Sequence, residues 1–261
     1  MKSFAFLPLG LLLIACGGRG DDSGQDESKL APGVYAALGD SYSSGTGTRE
    51  YYDEGCQRSN YAYGPLIAGE RGYELQHVAC SGAKIPDVEA NQLSALSDAT
   101  TLVTISIGGN DAGFSSVITK CAEPWPFTCG GEIDDARAFI TDQLPGQLDT
   151  LYNDIRSRAP NAQVIVVGYP RLFNGEECNI ARISPDEQND LNGTADLLAE
   201  TISNAATSHG FQFVDPREPF SGHAVCDDVE WVNGLSNPIG ESYHPNRVGH
   251  TQYASLISEL L

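Results

Sequence analysis

Basic residues are scarce in this chain. Its 261 residues include 15 Lys and Arg against 35 Asp and Glu, which gives a formal net charge of −20. A chain of this charge is repelled by nucleic acid phosphates, and no basic stripe in the sequence offsets the repulsion. We therefore exclude a nucleic acid partner and interpret the acidic surface as a source of solubility.

The apolar run at the start of the chain lacks the length of a membrane span. Phe4 to Ala15 is almost wholly apolar and follows Met1-Lys2, a pattern typical of a signal peptide. We predict a signal peptide over residues 1–15. The sequence Leu13-Ile14-Ala15-Cys16 resembles the lipobox of bacterial lipoproteins, which implies cleavage before Cys16, lipidation of Cys16 and anchoring at a membrane surface in the cell envelope. The alternative is an ordinary signal peptide and a secreted protein.

Motifs for cofactors and metals are also missing. The sequence has no Walker phosphate loop, no GxGxxG and no HExxH, and its cysteines lack the close paired spacing of a zinc site. We expect neither a cofactor nor a metal. With Cys16 set aside, an even number of cysteines in an exported chain indicates three disulfides, which allow 15 connectivities. Clustering along the sequence favours the pairs Cys56–Cys80, Cys121–Cys129 and Cys178–Cys226.

The remaining chain divides into a tether and one domain. Residues 16–30 are rich in Gly, Ser and Asp and have little to bury, so we predict a flexible tether that begins at the lipidated cysteine. Residues 31–261 suit one α/β domain, since no internal linker or repeat divides them. We expect this domain to be a monomer.

Strand and helix patterns alternate along the domain. Strands are predicted at 34–38, 73–79, 101–107, 164–167 and 211–214, and helices at 59–70, 134–158 (with a possible break at Pro145-Gly146), 185–209 and 245–261. Such alternation predicts a parallel sheet covered by helices on both faces. Ligands of such sheets bind at the carboxyl ends of the strands.

Three polar segments occupy positions where catalytic groups are expected. Gly39-Asp40-Ser41 follows the first strand, where a turn exposes the serine hydroxyl and its backbone N–H. Gly108-Gly109-Asn110-Asp111 follows the third strand and offers an amide donor. His244-Pro245-Asn246 opens the last predicted helix, with His244 at the N-cap boundary and suited to general-base chemistry.

Four blocks in order resemble the SGNH hydrolase family of GDSL-type esterases and lipases. They are GDSYSSG, CSGAK, GGNDAGF and YHPN. The resemblance implies a flavodoxin-like, three-layer α/β/α sandwich with a five-stranded parallel sheet. It also implies that Ser41 is the nucleophile and His244 its base, with Ser41, Gly82 and Asn110 forming the oxyanion hole. The cysteines resemble the three consecutive disulfides of that family's secreted bacterial lipase branch.

One position departs from the family pattern. The family has Asp three residues before the histidine, and this chain has Glu241. Either Glu241 orients His244 in a triad, or a backbone carbonyl, that of Ser242, accepts the imidazole N–H in a dyad. We favour the dyad.

The resemblance implies an esterase or lipase that hydrolyses carboxylic esters, lipid or other acyl esters, through an acyl-enzyme on Ser41. Two alternatives stay open: a carbohydrate acetylesterase, and a non-catalytic binding lipoprotein. The segment from Cys121 to Cys129 is either a wall of the acyl pocket or a surface loop stapled by a disulfide.

Overall fold

A parallel sheet forms the centre of the domain. The computed structural model describes residues 33–123, 126–178 and 181–261, together with Met1. The strands are β1 (Val34–Gly39), β2 (Glu74–His77), β3 (Thr100–Ser106), β4 (Gln163–Val167) and β5 (Gln212–Val214). Their order is β2-β1-β3-β4-β5, and each neighbouring pair is parallel. The predicted five-stranded parallel sheet is confirmed, and the strands lie close to their predicted bounds.

Helices cover both faces of this sheet. They are α1 (Ser41–Ser44), α2 (Tyr63–Arg71), α3 (Ile85–Asn91), α4 (Phe114–Cys121), α5 (Gly130–Asp142), α6 (Leu144–Arg158), α7 (Pro185–Ser208) and α8 (Arg247–Ser258). Helix α2 packs on α8, and α5, α6 and α7 pack on one another as a second group. Residues 102–106 of β3 are buried without alternation, as expected of a strand with a helical layer on each face. The fold is the predicted three-layer α/β/α sandwich.

Several helix boundaries differ from the sequence prediction. The predicted helix over 134–158 is two helices that meet at Gln143, and proline stands in the first turn of α6. The last helix begins at Arg247 rather than Pro245, because the Asn246 side chain accepts hydrogen bonds from two N–H groups of its first turn. Helices α1, α3 and α4 were not predicted.

The six domain cysteines form the three pairs favoured by their clustering: Cys56–Cys80, Cys121–Cys129 and Cys178–Cys226. Within the described part of the chain, no helix combines the length and the hydropathy needed to span a bilayer. Apart from Met1, the predicted signal peptide, Cys16 and the tether lie outside the described residues, as do Pro124 and Trp125 of the Cys121–Cys129 segment.

Candidate active site

The turn after β1 positions Ser41 at the carboxyl edge of the sheet. Gly39 has φ of +117°, and a Cβ there would lie 2.3 Å from the Ser106 carbonyl oxygen on β3, so only glycine fits. Asp40 then caps α1, with its Oδ1 accepting from the Tyr42 N–H at 3.0 Å. Ser41 is the first residue of α1 and lines a cleft. The segment from Gly39 to Gly45 is called the nucleophile turn below.

His244 meets Ser41 across 203 positions of sequence. Its Nε2 lies 2.9 Å from Ser41 Oγ, and its Nδ1 lies 2.8 Å from the carbonyl oxygen of Ser242. Because a carbonyl oxygen can only accept, Nδ1 carries the proton, and Nε2 is left to accept from the serine hydroxyl. The structure therefore brings the two predicted reacting groups together, in the tautomer that a general base requires.

The surroundings of the His244 ring favour its neutral form. The Tyr42 ring lies beside it, with centroids 5.5 Å apart. Burial lowers the pKa of His244 to about 4, against the opposing effect of the Ser242 hydrogen bond. A neutral imidazole is the form that can accept a proton from serine.

Glu241 has a different partner from the one a triad would need. It is buried, and its Oε1 accepts a hydrogen bond from the Tyr51 hydroxyl at 2.5 Å. Among the described residues, the second carboxylate oxygen has no hydrogen-bond partner. In the structure the Ser242 carbonyl, and not Glu241, lies at His244 Nδ1, which is the arrangement of the dyad alternative.

Three donors surround the same cleft. The backbone N–H groups of Ser41 and Gly82 donate to no acceptor within the described ranges. Gly82 has φ of +81°, in the left-handed region that glycine adopts without strain. The Asn110 amide donates one hydrogen to the Ala83 carbonyl at 3.1 Å and keeps a second one. Ser41, Gly82 and Asn110, the residues predicted for an oxyanion hole, all line the cleft.

A series of hydrogen bonds behind the site was not predicted from the sequence. Tyr169, which follows β4, donates its hydroxyl to Asp40 Oδ2 at 2.5 Å and accepts from the Gly109 N–H at 3.2 Å. It thereby joins the nucleophile turn to the loop that carries Asn110. Burial raises the pKa of Asp40 to about 7. The available signal was the place of Tyr169 just after a strand, the criterion that identified the segments of Ser41 and Asn110.

The cleft has a volume of about 380 Å³, which is within the usual range for small-molecule sites. Its lining combines polar and apolar residues. Its apolar residues include Phe114 and Ile118 of α4, Leu172 after β4 and Leu198 of α7, which we call the apolar wall. Within the described part of the Cys121–Cys129 segment, only Ala122 lines the cleft. The apolar wall predicted as one alternative for this segment is instead formed by Phe114 and Ile118 of α4 together with Leu172 and Leu198.

Cys121, Cys129 and Glu187 form a close group of metal-ligand residue types within the described ranges. The two cysteines are joined in a disulfide, so they have no thiolates to offer to a metal. This group is a structural bridge.

Comparisons with known proteins agree with this geometry. The sequence model of the GDSL-like lipase/acylhydrolase family matches residues 37–252. Lipase 1 of Streptomyces coelicolor is 39% identical over 250 residues, which cover 93% of this chain and 92% of that protein.

Two crystal structures are similar over most of the chain. The extracellular lipase of Streptomyces rimosus has 39% identity and a TM-score of 0.83, and the match covers 88% of this chain and 99% of that one. Phospholipase A1 of Streptomyces albidoflavus NA297 has 39% identity and a TM-score of 0.84, with the same coverage.

Proposed function

Because this chain belongs to the GDSL-like lipase/acylhydrolase family and is a carboxylic ester hydrolase, we propose that Ser41 and His244 are its catalytic dyad. The observation that carries this assignment is the contact of Ser41 Oγ with His244 Nε2, with the Ser242 carbonyl at Nδ1. Ser41 Oγ attacks the ester carbonyl carbon while its proton passes to Nε2. The Ser242 carbonyl holds the ring in place and stabilises the imidazolium that forms.

The oxyanion of the tetrahedral intermediate is stabilised by three donors. These are the N–H groups of Ser41 and Gly82 and the side-chain amide of Asn110, which all line the cleft. When the carbon–oxygen bond to the alcohol breaks, Nε2 returns its proton to the departing oxygen. Water then attacks the acyl-enzyme with His244 as the base, which releases the acid and restores Ser41. Donors placed for the developing charge lower the barrier of both steps.

We further propose that the substrates are esters of medium or long acyl chains, including lipids and phospholipids. The apolar wall supports this, because an acetyl group would leave most of that surface uncovered. The similarity to a lipase and to a phospholipase A1 supports it as well. A carbohydrate acetylesterase has no need of such a wall.

The place of action is also part of the proposal. Three disulfides are typical of an oxidising compartment, and one similar lipase is described as extracellular. We propose that the protein is exported, is lipidated at Cys16, and acts as a monomer tethered to a membrane surface by residues 16–30.

Labelling by a fluorophosphonate probe tests the catalytic assignment. We expect the wild-type protein to be labelled, Ser41→Ala to be unlabelled, and Ser115→Ala, which changes another serine of the cleft, to be labelled normally. Labelling that persists in Ser41→Ala would contradict the assignment. Rates on p-nitrophenyl esters of rising chain length test the substrate class, and a preference for acetate would contradict it.

A further inference from the structure

The order of the strands divides the cleft into two chemically different sides. Ser41 follows β1, Ser81 and Gly82 follow β2 on one side, and the apolar wall follows β3 and β4 on the other. The residues that line the cleft on the β2 side include Gln57 and Ser81. An ester bound at Ser41 has an acyl part and an alcohol part, and the apolar wall takes the acyl part.

The β2 side is built by long-range contacts. The disulfide Cys56–Cys80 joins the residues that precede Gln57 and Ser81, and the Ser81 N–H donates to the Cys56 carbonyl at 3.0 Å. The Thr46 hydroxyl lies 3.1 Å from Gln57 Oε1 and 3.0 Å from Ser81 Oγ, and Thr46 is fully buried. We call Gln57 and Ser81 the polar rim, and Thr46 holds it in place.

The polar rim offers donors to a ligand. The Gln57 side-chain oxygen faces Thr46, and its amide nitrogen donates to no acceptor in the part of the chain that the structure describes. Both residues are half-buried, so they can be reached from the cleft. Hydrogen-bonding groups placed beside a reacting ester select for partners that carry matching oxygens.

The segment that holds the polar rim in place also packs against His244. A Cβ added at Gly47, the residue after Thr46, would lie 2.9 Å from the His244 Cβ. His244 returns the proton to the departing alcohol in the proposed mechanism, so the alcohol leaves beside the group that protonates it. The departing oxygen is thus expected on the β2 side.

We propose that Gln57 and Ser81 form a subsite for the alcohol part of the ester, and that it favours a polyol of the glycerol type over a simple alcohol. This inference rests on the proposed function of Ser41 and His244. Free hydroxyl groups of the polyol accept from the Gln57 amide and exchange hydrogen bonds with the Ser81 hydroxyl.

The test compares two esters of the same acid, methyl butanoate and glycerol monobutanoate, both in monomeric solution. We expect wild-type kcat/KM to be higher for the glycerol ester. Gln57→Leu should lower the ratio of the two values about fivefold and Ser81→Ala about threefold, as for single neutral hydrogen bonds. Ile118→Ala, on the apolar wall, should change both esters in the same proportion. A ratio unchanged in Gln57→Leu and Ser81→Ala would overturn the proposal.

A binding measurement separates this proposal from the catalytic one. Glycerol monobutyl ether cannot be hydrolysed, and its dissociation constant can be compared with that of butanol on Ser41→Ala protein, where no turnover is needed. We expect the ether to bind more tightly, and Gln57→Leu in the same background to remove most of that advantage. Equal binding of the ether and of butanol would overturn the proposed subsite, whatever the result of fluorophosphonate labelling. Failed labelling alone would overturn only the catalytic assignment of Ser41.

Discussion

The nucleophile turn and the loop that carries His244 are held in place by different means. The nucleophile turn is wholly buried from Asp40 to Gly45 and is attached to the neighbouring strand: the Asp40 N–H donates to the Ser106 carbonyl and the Ser43 hydroxyl accepts from the Ser106 N–H. The other segment, residues 233–246, which we call the histidine loop, is irregular apart from one 3-10 turn, Ile239–Glu241. It contains Ile239 at 70% exposure and Tyr243 with φ of +61°.

Hydrogen bonds within the histidine loop, and one from the nucleophile turn, stabilise it. The Asn233 N–H donates to the His244 carbonyl, the Tyr243 N–H donates back to Asn233, and the Tyr42 hydroxyl donates to the Tyr243 carbonyl at 2.8 Å. The sheet thus fixes the position of Ser41, whereas a few hydrogen bonds of the histidine loop fix the position of His244. We expect activity to respond most strongly to changes where the two regions meet.

Gly47→Ala should have the largest effect, because this residue packs against the histidine loop. Its Cβ would lie 2.4 Å from the Pro245 carbonyl oxygen and 2.9 Å from the His244 Cβ, at φ of +100°. Displacing His244 by a fraction of an ångström to one ångström should lower kcat about 100-fold. The measurement is kcat of Gly47→Ala and of the wild-type protein on a p-nitrophenyl ester, with thermal unfolding of both as the measure of stability.

Gly72→Ala is the matched control for this change. Gly72 also has a positive φ, of +73°, but a Cβ there meets nothing within 4 Å. It should lose stability by about 1–2 kcal/mol through backbone strain and retain its kcat. Equal kcat in Gly47→Ala and Gly72→Ala would show that the histidine loop accommodates the added Cβ without displacing His244.

Tyr169→Phe tests the rigidity of the nucleophile turn. The change removes the donor to Asp40 Oδ2 and the acceptor of the Gly109 N–H, and each buried group left unpaired costs about 1–3 kcal/mol. We expect the free energy of unfolding in urea to fall by about 2–4 kcal/mol, and kcat to fall about tenfold as the Asn110 loop loosens.

Tyr152→Phe provides the control for this loss. The Tyr152 hydroxyl is buried with no hydrogen-bond partner among the described residues, so its removal should leave the free energy of unfolding nearly unchanged. If both variants lost the same stability, the Asp40–Tyr169–Gly109 chain would contribute nothing specific.

The same contrast explains what the sequence could predict. Ser41 and the strands were predictable because their signals are local: a short run of apolar residues ends in Gly39, and the reacting residue follows at the sheet edge. The partner of Glu241 could not be predicted, because Tyr51 lies 190 positions away in the sequence and no residue near Glu241 indicates this contact. The N-cap of the last helix was predicted near His244, because proline suits the first position of a helix. In the structure Pro245 lies before the cap residue Asn246 and forms a bridge with Val232.

The pH dependence tests whether both regions exclude water. Burial shifts both pKa values towards the neutral forms: it raises that of Asp40 to about 7 and lowers that of His244 to about 4. Since His244 must be neutral to accept the serine proton, the acidic limb of kcat/KM should reach half its maximum near pH 4. Initial rates, taken where circular dichroism shows folded protein, measure this limb.

Asp40→Asn assigns the acidic limb to one region. It removes the titrating carboxyl of the nucleophile turn, and the midpoint near pH 4 should stay where it is, because it belongs to His244. A wild-type midpoint near the ordinary histidine value of about 6.5 would mean that the histidine loop leaves the ring solvated.

Glu241→Gln should have the smallest effect, and it addresses the histidine loop alone. Glutamine keeps an oxygen that can accept from the Tyr51 hydroxyl, so the buried contact survives while the charge is removed. Since His244 Nδ1 donates to the Ser242 carbonyl, kcat should fall by less than about twofold, whereas removal of a true triad acid costs on the order of ten-thousandfold. Tyr51→Phe, which removes the other half of the same contact, should leave the pH midpoint unchanged. A large loss in Glu241→Gln together with a shifted midpoint would mean that the carboxylate reaches the imidazole during turnover, and that the histidine loop moves to bring it there.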